Sequence, residues 1–149
     1  MIKLIRTKST NPDFRHLIQL LDKDLWLRNG EGQAVYDVHN KIDYLETVVI
    51  AYVNDDPVGC GCFKIVDKHT VELKRMFVRG DHRGKGIASK ILNELEQWAR
   101  ELTYTHVILE TGKEQVEAIY LYKKTDYQLI ENYGPYIGMD NSICMRKGI

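Results

Sequence analysis

Apolar positions along the 149-residue chain change period several times, and each change marks the boundary of a predicted element. "IKLIR" alternates and predicts a short strand. Asn11 followed by Pro12 has the form of a helix cap and a first-turn proline, which predicts a helix through "DFRHLIQLLDKDLWLRNG" with Gly30 as its stop. Residues 33–45 carry a weaker helical pattern. Three β-rich runs follow, "TVVIAYV" (47–53), "VGCGCFKIV" (58–66) and "VELKRMFV" (71–78), separated by "NDDP" and "DKHT". Strands joined by connections this short form an antiparallel meander.

After Val78 the order becomes helix, strand, helix, strand. Ile87, Ile91, Leu95 and Leu102, with Ala88, Leu92 and Ala99, fill one broad helical stripe, and "THVILET" then reads as a mostly apolar strand. A strand–helix–strand order implies a parallel pair. "EQVEAIYLYKK" (114–124) predicts a further helix, and "YQLIEN" and "SICMRK" predict closing strands. No linker, repeat or biased segment interrupts the pattern, so residues 1–149 are expected to form one α/β domain on a mixed sheet.

Composition narrows the functional classes. Lys+Arg 21 balances Asp+Glu 21, and 28% charged against 44% hydrophobic residues describes a globular chain with no basic surplus for nucleic acid or a membrane surface. "MIKLIRTKST" lacks a signal-peptide core, and no apolar run approaches the roughly 20 residues that span a bilayer, so a cytoplasmic location is expected. Three cysteines make no disulfide framework. Cys60 and Cys62 sit two apart in a predicted strand and share one face, which fits buried cysteines better than nucleophiles. The five histidines show no metal-ligand spacing, and no metal is expected.

The chemistry concentrates at "DHRGKGIASKILNELEQWAREL" (81–102). First-turn N–H groups have no intrahelical partner, the helix dipole adds partial positive charge, and glycines let a phosphate approach the backbone. "RGKGIA", with Arg83 and Lys85, is therefore a candidate pyrophosphate cradle; a glycine-rich turn bearing two solvated cations is the plain alternative. A Walker loop fails, because Lys85 is followed by Gly86 and the spacing from Gly80 is short. A dinucleotide fingerprint is nearer, with Ser89 in the place of the third glycine, but the turn after Val78 is too long and too little chain follows Glu110.

"VELKRMFVRGDHRGKGIASKIL" resembles the acetyl-CoA-binding motif of the GCN5-related N-acetyltransferases, with Arg83, Gly86 and Ala88 matching its pattern in order. "QVEAIYLYKKTDY" is similar to a later helix of that family through Ala118, Leu121, Tyr122 and Lys124, while Asp126 and Tyr127 stand where Gly and Phe are usual. The resemblance covers the chain from about residue 47 onward. It implies a fold whose fourth and fifth strands splay apart. It also implies acetyl-CoA as cosubstrate, its pyrophosphate on the N–H groups around Arg83, Gly84, Lys85, Gly86, Ile87, Ala88 and Ser89 and its pantetheine arm along Met76, Phe77 and Val78.

Aminolysis of a thioester requires a neutral amine, a stabilised oxyanion and a proton for the leaving thiolate. Glu72 precedes Arg83 by the spacing at which family members carry a catalytic glutamate, so the resemblance makes it the candidate base; pairing with Lys74 on the strand surface is the plain alternative. Tyr122 matches the family's general acid, and a phenol with pKa near 10 can protonate a thiolate whose thiol pKa is about 8.5. Glu110, at the end of its strand, is the reserve base. By the same resemblance the acceptor pocket draws on the first helices and the last loop, with Trp26, Arg28, Tyr133, Tyr136 and Asp140 as candidates. The expected activity is direct acetyl transfer to a primary amine of a small molecule or amino acid. A non-catalytic acetyl-CoA sensor or interaction module, and a protein N-terminal or lysine acetyltransferase, are the alternatives, and a homodimer is common in the family.

Overall fold

The computed structural model of the chain describes residues 1–29 and 44–149, with side chains for all of these except 28 and 29. The stop at Gly30 and the helical pattern over 33–43 lie outside the described residues, and residues 44 and 45 are not helical. Seven strands form one mixed sheet: β1 (Ile2–Thr7), β2 (Val48–Val53), β3 (Asp56–Ile65), β4 (Thr70–Val78), β5 (His106–Gly112), β6 (Gln128–Ile130) and β7 (Ser142–Gly148). Their order is β1-β2-β3-β4-β5-β7-β6. β2 to β4 form the antiparallel meander and β4 with β5 the parallel pair that the sequence pattern predicted, and β1 adds antiparallel to β2.

Both faces of the sheet are covered, which is why "VVIAYV" is apolar at every position rather than alternating. Val48 and Ile50 face helix α1 (Pro12–Asn29) together with Phe14, Leu17 and Leu21. Val49 and Ala51 face helix α2 (Ile87–Glu101), against Ile91, Leu92 and Leu95. Asn11 caps α1 by accepting the Asp13 amide at 2.8 Å, and Asp13 in turn accepts the Tyr52 hydroxyl at 2.6 Å, fastening the helix to β2. Gly59 and Gly61 bring β3 close beneath α2. A Cβ on Gly61 would stand 2.9 Å from Leu95 and would also overlap the Met76 sulfur, so a side chain there would force both of them to shift.

Two turns differ in detail from the sequence reading. The β2–β3 hairpin turns on Asn54 and Asp55 alone, both left-handed (φ 51° and 67°), and Pro57 already belongs to β3. Asn and Asp tolerate that conformation, which a two-residue hairpin loop requires. After helix α3 (Val116–Lys124), Asp126 takes φ 76° in the place where Gly is usual in the resembled motif. The neighbouring Tyr127 ring is buried, and its hydroxyl donates to Glu96 at 2.8 Å; Lys147 reaches the other Glu96 oxygen at 3.0 Å. A buried carboxylate held in this way has its hydrogen bonds met, and that is what the extra hydroxyl of Tyr127 supplies.

Candidate active site

β4 and β5 pair at only three positions, ending at Glu72↔Ile108. Beyond this point β4 continues against β3 to Val78, and β5 continues against β7 to Gly112, so the two strands open a cleft in the middle of the sheet. A β-bulge adds to the opening. Cys60 faces Phe77 but Cys62 faces Lys74, which leaves one extra residue in β4, and Arg75 adopts φ 57° to accommodate it. The sequence carries no sign of the bulge, because the residue in the left-handed conformation is an arginine rather than a glycine.

The 83–89 loop closes one end of the cleft. Gly84 and Gly86 have φ of 80° and 78°, and a Cβ at either would meet nothing within 4 Å. Conformation, not crowding, therefore requires glycine at these positions. Gly86 caps α2 and brings no side chain, so the first-turn N–H groups of the helix stay open to a ligand. The Arg83 Nε donates to the Val78 carbonyl at 2.9 Å, and its guanidinium lies 3.7 Å from Asp24 and 5.8 Å from the Phe77 ring centroid. This side chain fastens the loop to β4 and α1 as well as adding charge.

Two cavities occupy the cleft. The larger, about 580 Å³, is lined by Met76, Phe77, Val78, Arg83, Gly84, Gly86, Ile87, Ala88 and Ser89, with Val116, Tyr120 and Leu121 of α3 opposite. Of the residues expected to hold acetyl-CoA, Lys85 is absent from this lining, and its side chain is exposed. The smaller cavity, about 120 Å³, is lined by Glu72, Lys74, Arg75, Glu110, Thr111, Tyr136 and Asn141. Both cavities include Met76, Gln115, Ala118 and Tyr122 in their walls, and they meet there.

At this junction Tyr122 is buried, its ring edge-on to Tyr127 at 5.6 Å. Burial, and then the charge of Glu110, hold its phenol above the ordinary tyrosine range, so it is a neutral donor. Glu110 accepts the Ser142 hydroxyl at 2.8 Å through Oε2, and burial raises its carboxyl above the usual range. Glu72 is 5% exposed and accepts the Tyr133 hydroxyl at 2.6 Å through Oε2; Lys64 and Lys74 lie 3.6 and 3.9 Å from its Oε1. Burial lowers the Lys74 ammonium, whose Nζ stands 3.3 Å from the Tyr136 hydroxyl.

The predicted acceptor residues separate on inspection. Tyr136 lines the smaller cavity and is 1% exposed, so it is a wall and not a surface flap. Tyr133 stands behind Glu72, outside that lining, with its ring edge-on to Tyr136 at 5.7 Å. Trp26 is 44% exposed and lines neither cavity, because α1 turns it outward while Leu21 and Leu25 face the cleft. The Arg28 side chain lies outside the described residues, and Asp140 is exposed while its neighbour Asn141 lines the cavity. Sequence reasoning missed Lys74 and Arg75 as cavity walls, although they adjoin Glu72 in the chain. Among the described residues no cluster of metal-ligating side chains occurs, and no helix is long and apolar enough to cross a membrane.

Residues 12–127 match the acetyltransferase (GNAT) family. An IAA acetyltransferase of Azospirillum brasilense is 36% identical over 133 residues, which is 88% of this chain and 87% of that protein. Several mammalian relatives are longer, and the chain spans less than two fifths of their length. A Klebsiella pneumoniae protein assigned as an acyl-CoA N-acyltransferase superposes with a TM-score of 0.82 at 27% identity, covering 99% of this chain and 97% of that one. An Elizabethkingia anophelis GNAT acetyltransferase with acetyl-CoA bound has the same fold, with a TM-score of 0.70 at 17% identity over 99% and 98% of the two chains. The chain belongs to the acetyltransferase (GNAT) family and is an acyltransferase.

Proposed function

We propose that the protein transfers the acetyl group of acetyl-CoA directly to the primary amine of a small molecule. The observation that carries this reading is the meeting of two cavities at Met76 and Tyr122. The larger is an extended groove ending in a glycine-built helix N-terminus, and the smaller is a compact chamber with four charged side chains among the apolar ones in its wall. A thioester at the junction would face an amine in the chamber, with both substrates bound at once.

In this reading the pyrophosphate of acetyl-CoA lies on the first-turn N–H groups of α2, and the pantetheine arm runs along Met76, Phe77 and Val78, where β4 has parted from β5. Glu110 takes the proton of the incoming ammonium. Its raised carboxyl is a better match to that proton than an ordinary carboxylate, and the bond from Ser142 engages Oε2. The nitrogen then adds to the thioester carbonyl, the carbon–sulfur bond breaks, and Tyr122 donates its proton to the departing thiolate. The second proton of the amine nitrogen passes to the tyrosinate, leaving an amide, a free thiol and a protonated Glu110 that returns its proton to solvent. Glu72 faces the same chamber as the alternative base, but Tyr133 and two lysines already compensate its charge, which suits it to holding Lys74 in place.

Thiol release from acetyl-CoA across a panel of small amines tests this reading. Turnover with intersecting initial-velocity patterns supports direct transfer in a ternary complex. Acetyl-CoA binding without turnover on any amine would overturn it in favour of a binding module, and parallel patterns would replace direct transfer with an acetyl-enzyme.

A further inference from the structure

We infer that the acceptor carries a carboxylate beside its amine, so that its class is the amino acid rather than the simple alkylamine; this rests on the transfer reading above. The smaller cavity holds two carboxylates, Glu72 and Glu110, and two cations, Lys74 and Arg75. The cations already face opposite charge, Lys74 towards Glu72 at 3.9 Å and Arg75 towards Asp22 of α1 at 2.5 Å. The chamber therefore has little net charge but separated signs. Glu110 meets the ammonium of a ligand, and Lys74 and Arg75, whose side chains are 10% and 9% exposed, face a carboxylate carried beside it. A zwitterion leaves the net charge of the chamber unchanged. Glu110 is the carboxylate whose charge acts on Tyr122, so the reacting amine belongs at that end. The ligand carboxylate is then directed to the β4 side, towards Lys74 and Arg75.

The test compares alanine with ethylamine, leucine with isopentylamine and phenylalanine with phenethylamine, each as acceptor with acetyl-CoA, by kcat/KM. Amino acids are expected to exceed their decarboxylated partners by about tenfold or more, the worth of a charge-assisted contact. Lys74→Met should raise the amino-acid KM more than the alkylamine KM and so collapse that ratio. Equal or better turnover of the alkylamines would overturn the acceptor class and leave the transfer reading standing. Failure of every amine would overturn the transfer reading instead.

A second inference comes from the cysteine pair. We propose that Cys60 and Cys62 are positioning residues for the β4 bulge. Each thiol donates to a carbonyl of the bulged segment, Cys62 to Lys74 at 3.3 Å and Cys60 to Arg75 at 3.5 Å. These bonds hold carbonyls in the stretch where the extra residue disrupts the β3–β4 ladder. A peptide's C=O and N–H are fixed relative to one another, so anchoring the Arg75 carbonyl also fixes the N–H of Met76, a residue that lines both cavities. Both thiols are buried, and burial pushes Cys62 up to about 12 and Cys60 well above its ordinary value, so both remain protonated donors.

Serine keeps a donor in this place, whereas valine fills the volume without one. Cys60→Val and Cys62→Val should each lower kcat about three- to tenfold, the range of one lost hydrogen bond, with acetyl-CoA affinity unchanged. Cys60→Ser and Cys62→Ser should restore kcat to near the parent value. If the valine variants fold poorly, the alanine variants read the same contrast. Valine or alanine kcat equal to the parent, or serine variants as impaired as valine ones, would overturn the positioning role.

Discussion

The two cavities of the cleft are built in different ways. The groove proposed for acetyl-CoA depends on backbone features, an open strand edge, two left-handed glycines and a helix N-terminus, beside the apolar side chains that line it. The chamber proposed for the acceptor is made of side chains from β4, β5, α1, α3 and the loop before β7. Backbone sites require particular residues at particular spacings, because only glycine takes φ near +80° at little cost and only a helix start exposes N–H groups. Side-chain sites require only that the right groups converge, and many spacings along the chain achieve that.

The largest expected effect lies where the two sides meet. Tyr122→Phe should lower kcat by roughly 10² to 10⁴ fold with acetyl-CoA affinity nearly unchanged, the range for losing a general acid. Parent-like turnover in this variant would detach the tyrosine from both cavities' chemistry.

Gly86→Val challenges the backbone side alone. A β-branched residue at φ 78° is strained by about 1–3 kcal/mol, so either the loop shifts or the site is lost. Acetyl-CoA affinity measured calorimetrically should fall at least tenfold while circular dichroism stays native. In the parent, acetyl-CoA at 100 times its dissociation constant should add about 2.7 kcal/mol of stability, and that protection should vanish in the variant.

Glu110→Gln challenges the side-chain side through pH. The Glu110 carboxyl is raised by burial, so the base form grows in as pH rises through a value above the ordinary carboxylate range, and the acid limb of the rate profile should sit there. The Gln variant should lose that limb, be slowest relative to the parent at neutral pH, and recover as the amine sheds its own proton at higher pH. Glu72→Gln should lower the rate at every pH without moving the limb, through loss of its contacts to Tyr133 and Lys74. The opposite pattern would exchange the roles of the two glutamates.

The smallest effect lies outside both cavities. Asp126→Gly relieves a non-glycine left-handed residue and should change stability by no more than about 1 kcal/mol, read by chemical denaturation, with kinetics unaltered.

Helix α1 up to its described end, the meander, the parallel βαβ unit and the closing strands were all readable from period and punctuation, since burial on one or two faces writes itself directly into the chain. The left-handed turn and the helix start that follows it were readable too, through Gly84 and Gly86. By contrast, Trp26 and Tyr133 looked like acceptor residues from their place in the chain, and only packing shows that one turns to solvent and the other stands behind Glu72. The bulge at Arg75, the three-position pairing that opens β4 from β5, and the convergence of Glu72, Lys74, Arg75 and Glu110 on one chamber were decided by tertiary structure. Local sequence sets backbone conformation and the buried face of each element. Which side chains from distant strands share a cavity depends on register and strand divergence, and these are set by contacts between residues far apart in the chain.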